Sequence, residues 1–383
     1  MKRRAVLAAG CACAAGVFPL LGRSQTEWQM PARFARAEPG SEEGGLWAMM
    51  DREEARLRRS PFALRDPKLQ EYVQKIACSL AAEHCPDVRV HLMRTPRFNA
   101  SMAPNGMMQV WTGLMLRVEN EAQLAAVLGH EIGHYLARHS LERLRDAKSR
   151  SGAGQFLAMF GLIGALGQLG VIAGMYAYSR DHEREADRIG ASLMRKAGYD
   201  VGEAGKVWQN LALEILARPG GDPASTPLFA THPATDERKQ MLAALAEALP
   251  GGVTNEAAWR QGVRPFLREW LNEEVKRGQH EESIALLSRL NINDRSQPDY
   301  LFARGEVFRL RGQEGDLEAA LVDYLSATTI GGEPPETHRG LGMIYRTRNR
   351  LPEARASFQR YIELAPQAPD SAMIRSYMEE MRT

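Results

Sequence analysis

The chain has 383 residues, 44% of them hydrophobic and 25% charged, which is enough for about two domains with cores of their own. Lys and Arg total 49 against 47 Asp and Glu, so no global basic field favours a nucleic-acid partner, and no RNA- or DNA-binding signature stands out. A nucleic-acid-binding role is excluded on that basis.

The N-terminus, MKRRAVLAAGCACAAGVFPLLGRSQ, carries basic residues, then an apolar run from Ala5 to about Leu21, then small residues at Gly22 and Ser24. That order resembles a bacterial export signal over residues 1–24, by a general or a twin-arginine route, and predicts a periplasmic location. Cys11 is a poor lipidation site because its apolar lead is short and Ala8 stands where a larger aliphatic is usual. Once the signal is removed, only Cys78 and Cys85 remain. An oxidising compartment permits them to pair if the helix carrying Cys78 ends near His84, as Pro86 suggests; two unpaired thiols are the alternative.

Residues 41–58 read as a charged helix. Asp66-Pro67 reads as an N-cap and first helical position, followed by Leu69, Val73, Ile76 and Leu80 on one face. Val88, Val90 and Leu92 alternate as a strand, and Met107, Met108, Gln109, Val110 and Trp111 form another, entered through Pro104-Asn105-Gly106. A further helix opens at Asn120, with Gln123 placed to reach back as in a capping box.

That helix contains HEIGH, residues 130–134. Residues four apart on a helix share a face, with Cβ atoms about 6 Å apart, so His130 and His134 can reach one zinc ion. Glu131 sits beside them, where a carboxylate can act as general base toward a water that the metal acidifies. Two histidines satisfied on an amphipathic helix are the plainer reading. A catalytic zinc needs a third protein ligand and an open position. The HExxHxxGxxH pattern is excluded by Ala137 and Ser140, His139 being one residue short of the required place. The later stretch SRDHEREADRIG, residues 179–190, offers Glu183 as ligand, with Asp187 one turn on to orient a ligating histidine; Glu185 competes on chemistry alone. A solvated charged face is the plain reading of that segment.

HEIGH and SRDHEREADRIG, with FNASMAPNGMMQVWTGL before and THPATDER after, resemble the zinc metallopeptidase family that includes HtpX and the CAAX prenyl endopeptidases, over roughly residues 40–245. The resemblance implies His130, His134 and Glu183 as zinc ligands, Glu131 as base and Asp187 as the group that orients a ligand. Its E-x-x-A-D pattern selects Glu183 over Glu185. Ser101-Met102-Ala103 and Asn105 depart from the family's usual aromatic, aliphatic and glycine residues there. An extended peptide substrate is expected to pair with the strand Met107–Trp111.

Residues 151–179 carry no charge and seven glycines. One membrane crossing would separate His130 from Glu183, and two crossings need about 40 residues, so the segment must return to its starting side. It reads as a plug packed beside the site, with contact to a membrane surface as the alternative.

After Pro250-Gly251-Gly252 the pattern changes. Leu341, Gly342, Tyr345, Ala354, Phe358 and Pro366 fall on tetratricopeptide spacing; Gly305, Phe308, Ala320, Tyr324 and Ala327 fit a preceding repeat, and Gly278, Ala285 and Leu286 a degenerate one. The expected fold is α+β over 25–249, a zincin-like metallopeptidase domain that is mostly helical with a small sheet, then an all-α tetratricopeptide solenoid over 250–383. Export signal, zincin domain and repeat tail together resemble the bacterial beta-barrel assembly-enhancing proteases and their periplasmic relatives. This implies a metalloendopeptidase acting on misfolded or stalled proteins, its tail docking onto outer-membrane assembly machinery or client. A chaperone or adaptor with a mostly latent zinc site is the alternative.

The stretch LFATHPATDER, residues 228–238, brings His232 just ahead of a helix bearing Arg238. The resemblance places it near the active site. Three roles stand open there. His232 can take the fourth zinc position and hold the enzyme closed, His232 or Arg238 can support the oxyanion of the intermediate, or His232 can simply cap the helix.

Overall fold

The computed structural model describes residues 28–145, 178–223, 232 and 236–381. The export signal 1–24, most of the uncharged segment 151–179 and most of the 228–238 stretch lie outside them. Among the described residues no helix is long and apolar enough to cross a membrane.

Helix α1 (Glu42–Arg59) starts at Ser41, whose hydroxyl accepts from the Gly44 amide at 3.0 Å. Helix α2 (Pro67–Ala81) starts at Asp66, whose carboxylate accepts from Leu69 N–H at 2.9 Å, and buries Leu69, Val73, Ile76 and Leu80 as their spacing predicts. It ends at Ala81, three residues earlier than Pro86 suggests, because Ala82 turns to φ 47° and a 3-10 turn over Ala82–Asp87 takes up the chain. That turn folds Cys85 back to 4.6 Å from Cys78 between Cα atoms, and the two are disulfide-bonded.

Strands β1 (Arg89–Met93), β2 (Ala100–Met102) and β3 (Met107–Trp111) form one sheet in the order β1-β3-β2. β3 runs parallel to β1, with Arg89 opposite Met107, and antiparallel to β2, with Ala100 opposite Val110. Gly106 makes the entry into β3 possible: its φ is 87°, and a Cβ there would lie 2.0 Å from the Asp87 carbonyl oxygen. Strand β2 is absent from the sequence reading because three residues are too few to show a period.

Helix α3 (Thr112–Arg117) follows β3 directly, and α4 (Glu121–Leu136) carries HEIGH. Asn120 caps α4 by accepting from Gln123 N–H at 2.8 Å, while the Gln123 side chain accepts from Glu119 N–H at 2.9 Å, one residue before the amide that a capping box would use. Every residue of α4 is buried. Helices α5 (Arg180–Lys196), α6 (Glu203–Leu216) and α7 (Asp236–Ala248) complete the surroundings of the sheet and α4.

Helices α8 (Glu256–Val263), α9 (Leu267–Lys276), α10 (His280–Asn293), α11 (Pro298–Arg311), α12 (Asp316–Ile330), α13 (Glu336–Thr347), α14 (Leu351–Leu364) and α15 (Ser371–Glu380) follow. From α10 on, each packs against the next. Gly305 of α11 and Gly340 of α13 both face the buried ring of Tyr324, and Gly342 faces Phe358, so small residues admit the aromatic rings between helices. The first of these helices belong with the sheet side of the molecule: Trp259 of α8 donates its indole N–H to the Val118 carbonyl at 3.0 Å. Arg117 of α3, 5% exposed, donates to Glu214 of α6 at 2.8 Å and to Glu274 of α9 at 3.0 Å.

Candidate metal centre

The centre is built where α4 crosses α5. The crossing is made by small residues: a Cβ on Gly133 would lie 2.8 Å from the Ala186 carbonyl oxygen, and one on Gly190 3.0 Å from the His130 backbone nitrogen. With no side chains to hold them apart, the two backbones touch, and Glu183 on α5 comes within reach of both HEIGH histidines. Glu183 Oε1 is 3.2 Å from His134 Nε2, and Glu183 Oε2 is 3.4 Å from His130 Nε2. The two imidazole Nε2 atoms are 3.1 Å apart.

His232 closes the group. Its Nδ1 lies 3.0 Å from Glu183 Oε1 and 3.2 Å from His130 Nε2, and its Nε2 lies 3.8 Å from Glu131 Oε1. One donor atom each from His130, His134, Glu183 and His232 falls within 4.8 Å of the others, and all four residues are buried. The other Glu131 oxygen, Oε2, is buried without a hydrogen-bond partner among the described residues.

The neighbours aim these groups. His130 Nδ1 donates to Asp187 Oδ1 at 2.8 Å, which leaves the Nε2 lone pair facing the centre. Arg238 on α7 holds Asp187 at 2.7 and 2.9 Å and Glu183 at 2.9 Å, with its guanidinium 5.2 Å from the centre of the Trp208 ring. His134 stacks on Tyr178 with ring centres 3.8 Å apart, and its Nδ1 faces His139 Nδ1 at 2.9 Å.

Burial and charge oppose each other here. Burial disfavours a charged His130, yet Glu183 and Asp187 outweigh it and raise its pKa to about 10. Burial penalises the Asp187 carboxylate, but Arg238 and His130 bring it down to about 2. Glu183 behaves alike: the imidazoles of His232 and His130 hold it ionised against its burial. Burial raises Glu131, against the pull of His232 and His130. A field negative enough to keep a proton on a buried imidazole is also one that holds a divalent cation in the proton's place.

The donor set fits zinc: three imidazole nitrogens and one carboxylate oxygen converge in a buried cluster, and the Glu131 carboxylate beside His232 keeps a buried oxygen without a hydrogen-bond partner among the described residues.

The structure thus brings together His130, Glu131, His134, Glu183, Asp187, His232 and Arg238. Glu185 stands apart from the centre, with its side chain 56% exposed beside His139. Two expectations are corrected. Strand Met107–Trp111 cannot take up a substrate strand, because β3 is central and both its sides are already paired; β2, which packs against α4, is an edge. Arg238 does not aim at an oxyanion, since its guanidinium lies against the carboxylates of Asp187 and Glu183. Sequence reasoning missed Tyr178, Trp208 and the role of His139. Only His139 left a signal, as a third histidine close behind HEIGH.

A HExxH helix joined by a glutamate from a second helix, with Glu131 beside them, is the arrangement of a zinc metallopeptidase centre. Residues 63–246 match Peptidase family M48. The chain is similar to the putative beta-barrel assembly-enhancing protease of Vibrio cholerae, 30% identical over 48% of this chain and 40% of that protein. It is similar also to the mitochondrial metalloendopeptidase OMA1 of Arabidopsis thaliana, 34% identical over 46% of this chain and 36% of that protein, and to the beta-barrel assembly-enhancing protease of Yersinia pestis, 27% identical over 57% and 49%. The chain thus covers less than half the length of each of these relatives.

Proposed function

We propose that this chain is an exported, periplasmic zinc metalloendopeptidase that cleaves misfolded or stalled proteins during outer-membrane protein assembly. The observation that carries the chemistry is the convergence of His130, His134 and Glu183 on one buried point with the Glu131 carboxylate beside it. Bound zinc supplies Lewis acidity toward a water and a peptide carbonyl. Glu131, whose pKa burial raises, takes one proton from the attacking water and returns it to the leaving amine. Asp187 fixes the tautomer of His130, and Arg238 holds Asp187 and Glu183 in place. The substrate is read as an extended strand added to the β2 edge at Ala100–Met102, where main-chain pairing gives weak sequence preference. His232, its Nδ1 against Glu183 and His130, is read as the fourth ligand of a latent state.

The setting rests on the sequence and on the relatives' names. Residues 1–24 are the export signal, 25–249 the peptidase domain and 250–383 a tetratricopeptide array, supported by the succession of helices α10–α15 with small residues against buried aromatic rings. That array is the surface proposed to meet assembly machinery or client, and residues 151–179 are read as a plug beside the site, with contact to a membrane surface as the alternative. Glu131→Gln tests the reading: zinc content and partner binding should persist while proteolysis stops. Full complementation of a deletion strain by Glu131→Gln would instead favour an adaptor with a latent site, and the proteins that accumulate in that strain would name the clients.

A further inference from the structure

The two HEIGH histidines are supported unequally. His130 rests directly on Asp187, whose side chain is 2% exposed and clamped by Arg238. Among the described residues no carboxylate meets the Nδ1 of His134, whose Nε2 faces Glu183. That Nδ1 meets His139 Nδ1 at 2.9 Å, and His139 Nε2 meets Glu185 Oε2 at 3.3 Å. The His139 ring is 1% exposed and stacks on His182, centres 4.3 Å apart with planes 21° from parallel.

The chain takes an unfavourable turn to place this ring. Helix α4 ends at Leu136, and Arg138 then adopts φ 58°, a left-handed conformation that residues with a Cβ rarely take. The turn carries His139 back beneath the last turn of α4, and Arg138 is anchored by Glu43 and by the Phe34 ring, 5.2 Å away.

Hydrogen-bond direction follows from the ligand role. For His134 to present its Nε2 lone pair to a metal, its Nδ1 must carry the hydrogen; His139 Nδ1 then accepts, its Nε2 carries a hydrogen, and Glu185 accepts that. Each link has one allowed polarity. We infer that His139 and Glu185 are positioning residues for the metal site, a relay that fixes the tautomer and ring plane of His134 as Asp187 does for His130. This rests on the zinc centre proposed above. Because the relay ends on a largely exposed carboxylate, it is the weaker of the two supports, and the His134 arm is the one through which metal is first lost.

The test is zinc affinity by competition with a chromogenic chelator, joined to the visible spectrum of the cobalt-substituted full chain, neither of which requires turnover. His139→Ala should weaken zinc binding by about 10- to 100-fold. His139→Asn, whose amide oxygen can still accept from His134, should recover most of that. Glu185→Ala, on the exposed side of α5, should weaken binding about threefold in the native chain and have no effect in the His139→Asn background, where the relay is already cut. Wild-type affinity and cobalt spectrum in Glu185→Ala and His139→Asn alike, with His139→Ala either unfolded or unchanged, would overturn the relay. So would equal losses from Glu185→Ala in both backgrounds. A wild-type chain that takes up no zinc would sink the metal centre itself, and the relay with it.

Discussion

Gly133→Ala should separate metal binding from folding. The added Cβ would sit 2.8 Å from the Ala186 carbonyl oxygen and 3.0 Å from the Ala186 Cα, so restoring an ordinary contact of about 3.4 Å moves α5 away by roughly 0.6 Å. Zinc–ligand distances tolerate about 0.2 Å, so a shift three times larger pulls Glu183 out of the ligand set. Overpacking costs about 1–3 kcal/mol, but replacing glycine inside a helix returns about 1 kcal/mol, so stability alone is an ambiguous reading. Affinity is the better one. Zinc should bind at least about tenfold more weakly to Gly133→Ala, measured by chelator competition on protein shown to be folded by circular dichroism. Gly205→Ala is the control: its Cβ would meet Leu242 at 3.9 Å, an ordinary contact, so zinc affinity should stay put and stability rise by up to about 1 kcal/mol. A folded Gly133→Ala with affinity within about twofold of wild type would refute the argument that close backbone approach sets the ligand geometry.

His232→Ala should raise turnover of an unfolded protein substrate if His232 occupies the fourth position, whereas a loss of about a hundredfold or more would assign it to oxyanion support. Glu274 is held ionised by Arg117 and Arg277 against the cost of its burial, so its folded pKa lies below the unfolded one. The stability it contributes is present above about pH 4.5 and is lost as pH falls through the lowered value; Glu274→Gln should therefore cost about 3 kcal/mol at pH 7 and flatten the acid limb of a stability–pH curve. The Cys78–Cys85 bond closes a short loop, so Cys78→Ala with Cys85→Ala should lower stability by about 2.5 kcal/mol in denaturant titration, and no loss would mean the turn is held by its other contacts.

What could be read beforehand was what lies close in sequence or obeys a period. HEIGH places two histidines on one face by helical geometry alone, and Glu183 and Asp187 are one turn apart for the same reason. Asp66, Asn120 and the face of α2 were legible as caps and a core stripe. The order β1-β3-β2 was not, because strand pairing is a long-range choice and β2 is three residues long; that hid which strand is the edge. His139 was legible as a residue and illegible as a role. It depends on a left-handed Arg138, which no propensity favours and which only the contacts of Phe34 and Glu43 explain. Gly133 and Ala186 read as incidental letters of two motifs until the helices are seen to cross at them.

The buried Arg117 bears on how such a peptidase could be exchanged between proteins. Its guanidinium sits between Glu214 of α6 and Glu274 of α9, on opposite sides of the Pro250-Gly251-Gly252 turn where the sequence changes character. A gene spliced at that turn would encode a catalytic half in which Arg117 keeps Glu214 but loses Glu274, and a partner half in which the buried Glu274 keeps Arg277 but loses Arg117. Trp259 would leave with the partner half, baring the Val118 carbonyl. The unit that keeps both charge partners of Arg117 therefore runs through α9, beyond the turn at which the sequence changes character.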